Sequence, residues 1–227
     1  MIKKINTKTY KKKIYLKPFK HIVIDNFLEK KFLRMIMNEF PKYGDKTWHQ
    51  YDNYCENKKT NNQWNTFKPH TYKLFTKLNS AQFLKDLKKL FKEKEIFSDH
   101  GLHGGGLNIM KNSTGKLNPH LDNSYHPKTD LLRKYNLIIF LNKNWKVNWG
   151  GELIFYNQNK NNPKVHGSIS KKIGPFFNRA IIFDTSKNSW HSVNNIIKKK
   201  NLFRKSIAVY YFVNKKNLKK KILKVLY

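Results

Sequence analysis

Asn118-Pro119-His120-Leu121-Asp122, followed far downstream by Ser189-Trp190-His191 and then by Arg204-Lys205-Ser206 at the head of an apolar run, decides the architecture of the chain. His120 and Asp122 are two residues apart, and on a strand that spacing points both side chains to one face. A metal above that face meets both. His191 opens another strand-like stretch, and it joins them only if the sheet folds over on itself, as a double-stranded helix of strands does. Two imidazoles and one carboxylate on one side of a divalent metal leave the opposite positions open for a chelating cosubstrate and dioxygen, which is what a non-haem iron(II) oxygenase needs. The His-x-Asp pair alone is a weak sign, because nine histidines make chance pairs common. His191 and Arg204 give it weight.

Arg204 stands at the head of Ser206-Ile207-Ala208-Val209-Tyr210-Tyr211. A guanidinium anchored among apolar strand residues needs an anion, and it can grip a carboxylate through two parallel hydrogen bonds. Ser206, two residues on, faces the same way and adds a hydroxyl. The dicarboxylate 2-oxoglutarate supplies such an anion.

Around these residues the chain is written in short apolar runs broken by Gly, Asn and Pro. Strands are expected at Lys20–Ile24, Leu107–Lys111, Lys116–Leu121, Tyr135–Leu141, Glu152–Tyr156, Arg179–Phe183, His191–Asn194 and Ser206–Val213. Many short strands at close spacing indicate an antiparallel sandwich or barrel. Helical spacing of Leu28, Phe32, Met35, Ile36 and Phe40, with Asp25 or Asn26 before it and Pro41 after, predicts an amphipathic helix. Phe83, Leu84, Leu87, Leu90 and Phe91 form a second stripe behind a Ser80 cap. Residues 42–69, rich in Asn, Trp and Tyr, read as a long irregular segment suited to a lid. The Gly101–Gly106 run reads as a mobile hinge into the first sheet strand, since it lacks the spacing of a dinucleotide fingerprint.

With 227 residues, 39% hydrophobic and 15% aromatic, the chain can bury one good core. Three parts are expected: a basic arm at 1–17, one domain at 18–213 and a basic helix at 214–227. Against 14 Asp and Glu stand 47 Lys and Arg, a formal charge of +33. Residues 1–20 and 198–227 contain no acid and carry +19 of it. Two readings stay open: attraction of an anionic partner such as nucleic acid or an anionic surface, or a Lys- and Asn-inflated genome composition. A single cysteine, Cys55, excludes an internal disulfide and a thiolate metal cluster. The apolar runs are too short to span a bilayer, and a cytoplasmic location is expected.

At this point the chain resembles the 2-oxoglutarate- and iron(II)-dependent oxygenases of the prolyl-4-hydroxylase-like group. The likeness runs over about residues 18 to 213 in order, through Pro18–Leu28, His120–Pro127, Asn136–Asn142 leading to Trp149-Gly150-Gly151-Glu152-Leu153, and Asn178–Phe183 ahead of Ser189-Trp190-His191. It implies a mainly β fold, a double-stranded β-helix of jelly-roll or cupin-like form with flanking α-helices. It implies iron(II) held by His120, Asp122 and His191, and the distal carboxylate of 2-oxoglutarate held by Arg204 with Ser206. Asn108 stands where the group often has a cosubstrate-binding Tyr. The implied activity is hydroxylation of an unactivated C–H bond with O2, as 2-oxoglutarate becomes succinate and CO2; ascorbate would serve as reductant. Peptide, glycan and small-molecule substrates stay open, with peptidyl proline offered by analogy alone. The competing class is a basic nucleic-acid- or surface-binding protein on an inactive oxygenase scaffold.

Several neighbours carry two readings. Asn123 and Asn194 are polar residues close enough in sequence to orient the imidazoles. Trp149 and Trp190 either wall the pocket or pack in the core, and His126 faces substrate or lies at the surface beside Pro127. Glu152 reads as a structural residue on the sheet. Substrate contacts are expected from residues 42–69 and 157–175.

Overall fold

A computed structural model describes residues 13–185, 187–197 and 202–214. The helix expected at 214–227, apart from Asn214, and the greater part of the basic arm lie outside the described residues. Twelve strands among the described residues form one antiparallel sheet that curls on itself. They are β1 (His21–Ile24), β2 (His49–Asp52), β3 (Glu56–Asn61), β4 (Phe97–Ser98), β5 (Gly106–Lys111), β6 (Lys116–His120), β7 (Leu131–Phe140), β8 (Leu153–Gln158), β9 (His166–Ile173), β10 (Ala180–Asp184), β11 (His191–Val193) and β12 (Phe203–Asn214). The strand order is β1-β10-β7-β12-β5-β3-β6-β11-β8-β9, with β2 beside β3 and β4 beside β12. Every strand expected from the sequence is present, with ends shifted by a few residues at most.

The central strands are buried on both faces, and the face toward the helices is apolar. Ile207, Val209 and Tyr211 of β12, Leu137 and Ile139 of β7, and Leu107 and Ile109 of β5 share a core with the helices. Those helices are α1 (Lys30–Glu39), α2 (Pro69–Leu78) and α3 (Ala81–Phe91). Leu33 and Ile36, Leu74, Phe75 and Leu78, then Phe83, Leu87, Leu90 and Phe91 are their contributions. The opposite parity of the same strands, Arg204, Ser206, Ala208 and Tyr210 with Asn136, Ile138, Asn108 and Met110, faces an internal cavity. Flanking helices therefore cover one face, and the other face is left for the site.

Ser80 caps α3 as expected, its hydroxyl accepting from the Phe83 N–H at 3.3 Å. The first helix starts later than its apolar spacing suggests, and neither Asp25 nor Asn26 caps it; Glu29 occupies the cap position, and its side chain makes no capping hydrogen bond to the helix backbone. Two segments depart further from expectation. Residues 42–69 hold the β2–β3 hairpin, and β3 is built into the sheet between β5 and β6. Its sequence, Glu-Asn-Lys-Lys-Thr-Asn, hides the strand because few of its residues meet the core. Similarly β9, mostly exposed at the end of the sheet order, occupies part of 157–175. The 101–106 run is a tied turn. Asp99 accepts from the backbone N–H groups of Gly101 and His103, and Gly106, at φ +109°, lies where a Cβ would meet the Asn61 carbonyl at 2.3 Å.

Candidate metal centre

Closure of the sheet brings β6 and β11 together so that His191 pairs directly with His120. Asp122 follows two residues beyond. Ligand atoms of the three side chains all lie within 4.8 Å of one another: His120 Nε2 is 3.6 Å from Asp122 Oδ1, and His191 Nε2 is 3.4 Å from Asp122 Oδ2. Both imidazoles are oriented by backbone. Their Nδ1 atoms lie 2.8 Å from the carbonyls of Asn118 and Ser189, two residues upstream in each case. A carbonyl only accepts, so Nδ1 carries the proton and the Nε2 lone pairs point at the shared space. Asn194 instead donates to Glu152. Glu152 is thus a structural partner, as its reading had it.

Electrostatics keep this donor set ready for a cation. Burial, and then the neighbouring His191, push His120 down to about 4, so its ring is neutral near pH 7. Burial opposes charge on Asp122, but in acid, where the imidazoles are protonated, attraction to His191 and His120 together with Arg133 outweighs it and holds the carboxyl below the usual range. Three side chains not anticipated from the sequence surround that carboxylate. Tyr210 donates its hydroxyl to Oδ2 at 3.0 Å and the Asn136 amide donates to the same oxygen at 3.2 Å. Arg133 Nη1 lies 3.7 Å from Oδ1, with its guanidinium carbon 3.9 Å from the centre of the Tyr210 ring. Strand parity was the available signal, since Tyr210 follows Arg204 at an even spacing. Asn136 is likewise a polar residue opening an apolar run.

A cavity of about 300 Å³ connects the triad with Arg204, Ser206 and Asn108. Arg204 is buried, and its Nε donates to the Gly151 carbonyl at 2.8 Å. Gly151 permits that approach: at φ +74° a Cβ would sit 3.0 Å from Trp145 and 3.3 Å from Arg204 Cδ. The guanidinium lies over Phe140 at 4.9 Å, and Nη2 has no hydrogen-bond partner. Burial pushes this group down to about 10, and Glu152 partly opposes the shift. A buried cation with an unused donor, facing a cavity that also holds two imidazoles and a carboxylate, fits an anionic chelator of the metal. Asn108 lies opposite Ser206 in the register, but its amide is engaged, accepting from Thr60 at 2.8 Å and donating to Gly106. Trp149 packs against Trp145, Trp190 lies near His166, and neither lines the cavity. His126 is outside the cavity too, against Asp99.

Residues 105–212 match the model of the 2OG-Fe(II) oxygenase superfamily. No curated protein sequence matches the chain. Among solved structures, a prolyl hydroxylase from Trichoplax adhaerens, in complex with a hypoxia inducible factor oxygen degradation domain peptide, is 17% identical with a TM-score of 0.57, covering 85% of this chain and 83% of that one. A Pseudomonas putida prolyl-4-hydroxylase is 13% identical with a TM-score of 0.57, over 86% and 92% of the two chains. A 2OG-Fe(II) oxygenase family oxidoreductase from Burkholderia pseudomallei is 16% identical with a TM-score of 0.55, over 93% and 92%. The donor set and the family model agree: residues 105–212 match the 2OG-Fe(II) oxygenase superfamily on a fold shared with prolyl hydroxylases, which supports a dioxygenase using iron(II), 2-oxoglutarate and O2.

Proposed function

We propose that His120, Asp122 and His191 bind the iron(II), that Arg204 with Ser206 holds the distal carboxylate of 2-oxoglutarate, and that the substrate is a side chain of a peptide, with proline the first to test. The observation that carries this reading is the unused Nη2 of buried Arg204 in the same cavity as the triad. Bound together, iron(II) and 2-oxoglutarate supply the chemistry: O2 is reduced as 2-oxoglutarate loses CO2 to become succinate, one oxygen atom going into succinate and the other into a C–H bond. The residues position and shield. The two backbone-held imidazoles keep their Nε2 atoms on the metal side, Tyr210 and Asn136 fix the carboxylate, and Phe140 and Met110 keep water from the guanidinium. Asn108 serves as a wall of the cosubstrate compartment.

The size of the cavity supports a substrate that enters by one side chain, because about 300 Å³ is at the low end for a ligand site and 2-oxoglutarate takes part of it. The side chain of His191 is 3% exposed and that of His120 is 28% exposed, so the open flank lies on the His120 side, where Tyr51, Cys55 and Lys58 also line the cavity. Two structural neighbours are prolyl hydroxylases, one with a peptide bound. This supports the peptide reading over a glycan or a free small molecule. A reducing cytosol suits both iron(II) and the exposed free thiol of Cys55. Separately, the +33 charge favours an anionic partner, nucleic acid or an anionic surface, bound apart from the cavity.

Succinate production from 2-oxoglutarate with iron(II), ascorbate and a panel of proline-containing peptides tests the assignment. Wild type is expected to form succinate and a hydroxylated peptide, whereas His191→Ala and Arg204→Ala form neither. Turnover by either variant at the wild-type rate removes that residue's role. Succinate without hydroxylation of any peptide removes the substrate class.

A further inference from the structure

A second cluster lies outside the cavity. Asp99 is buried, and its carboxylate collects four donors. Oδ1 accepts from the Gly101 N–H at 2.9 Å, from His103 Nδ1 at 3.0 Å and from His126 Nε2 at 3.3 Å, while Oδ2 accepts from the His103 N–H. Asp99, His103 and His126 thus bring their ligand atoms as close together as the iron triad does. The placement of protons argues against a second metal here. His126 Nδ1 accepts from the Lys128 N–H at 3.2 Å, so its Nε2 carries the proton that is given to Asp99. A nitrogen that donates has no lone pair for a cation.

The cluster lies between the loop that carries Asp122 and the turn that meets Arg133. His126 is on the 121–130 connection between β6 and β7, the connection that carries Asp122. Its ring is 5.0 Å from Phe212, at an edge-on angle. On the other side, the turn that Asp99 ties together presents the His103 carbonyl to Arg133 Nη2 at 3.3 Å. Arg133 in turn lies beside Asp122. Two routes therefore run from one buried carboxylate to one metal-binding carboxylate, through His126 and its loop and through the His103 carbonyl and Arg133.

We propose that Asp99 is a positioning residue for the iron centre: it braces Asp122 from both sides, by pinning the ligand's loop through His126 and by setting Arg133 through the 99–105 turn. The inference rests on Asp122 being a metal ligand. Residues that orient ligands typically change metal affinity by about 10- to 100-fold when replaced.

Cobalt(II) alone, titrated into the full chain and followed by calorimetry and visible absorption, tests the brace without turnover. Asp99→Asn is expected to weaken cobalt binding by about 10- to 100-fold and His126→Gln by about tenfold, with one ion per chain in each case. The double variant should lose no more than Asp99→Asn alone, because Asp99→Asn already cuts the route that runs through His126. A lower apo melting temperature with wild-type cobalt affinity in the folded variants would mean a merely structural role and would overturn the proposal. Losses that simply add in the double variant would overturn it too. So would a second cobalt ion in the wild type that Asp99→Asn removes. If Asp99→Asn does not fold, His126→Gln decides alone, and unchanged affinity there overturns the brace. His120→Ala separates the two levels: wild-type cobalt binding by that variant removes the metal centre itself, whereas its loss alongside unaffected His126→Gln removes only the brace.

Discussion

Arg204 carries an unusual load for a single side chain. It is a buried cation whose charge is disfavoured by its surroundings, and the shift to about 10 leaves that cost in place throughout the neutral range. Such a group is tolerated where its anion arrives as a ligand. Arg204→Met keeps the aliphatic bulk and removes the charge, so the apo protein is expected to melt no lower than wild type. Cosubstrate-dependent stabilisation should disappear in the same variant. At 100 times the dissociation constant, wild type with cobalt(II) should gain about 2.7 kcal/mol from 2-oxoglutarate. Thermal melts with and without 2-oxoglutarate read both effects, and a destabilised apo variant that still responds to 2-oxoglutarate would remove Arg204 from the cosubstrate site. His120 shows the complementary case. Its folded value of about 4 lies below the ordinary 6.5, so the neutral, metal-ready ring is favoured by folding above pH 6.5, and that contribution is lost as pH falls toward 4.

At the scale of elements, β12 shows how one strand serves two purposes. Its even positions, Arg204, Ser206, Ala208 and Tyr210, line the cavity, while Ile207, Val209 and Tyr211 pack beneath the helices. Adjacent substitutions should therefore separate. Val209→Ala is expected to cost about 1–3 kcal/mol in urea unfolding, the range of a buried truncation that removes two methylenes' worth of side chain, and to leave cobalt affinity unchanged. Tyr210→Phe removes the hydroxyl on Asp122 and is expected to weaken cobalt binding about tenfold. A Val209→Ala effect on metal affinity equal to that of Tyr210→Phe would contradict the two-faced reading. The same alternation explains what could be read in advance. Strands with a buried face announced themselves as apolar runs, whereas β3, polar in sequence and fixed by its pairing to β5 and β6, did not. Asn136 and Tyr210 could be placed on the cavity face by parity, but nothing in their spacing named Asp122 as their partner.

For the whole molecule, the excess of 33 positive charges poses a question separate from the iron chemistry. If an anionic polymer is a partner, binding must release counterions, and about six phosphate contacts would lower affinity about 10³-fold between 50 and 200 mM salt. Affinity for a single-stranded oligonucleotide measured against salt checks this, and a flat dependence would leave composition as the explanation of the charge. The sequence by itself picked out the candidate donor set, His120, Asp122 and His191, and Arg204 beside it, because strand periodicity and the chemistry of metal and carboxylate recognition are local rules. It determined most strands and two helix stripes for the same reason. Only the tertiary structure decided that backbone carbonyls orient the imidazoles, that Tyr210, Asn136 and Arg133 surround Asp122, and that two chains of contacts run from the buried carboxylate of Asp99 toward Asp122. Those relations join residues distant in sequence. They exist only once the sheet has closed, and no local period in the chain encodes which side chain will lie across from which.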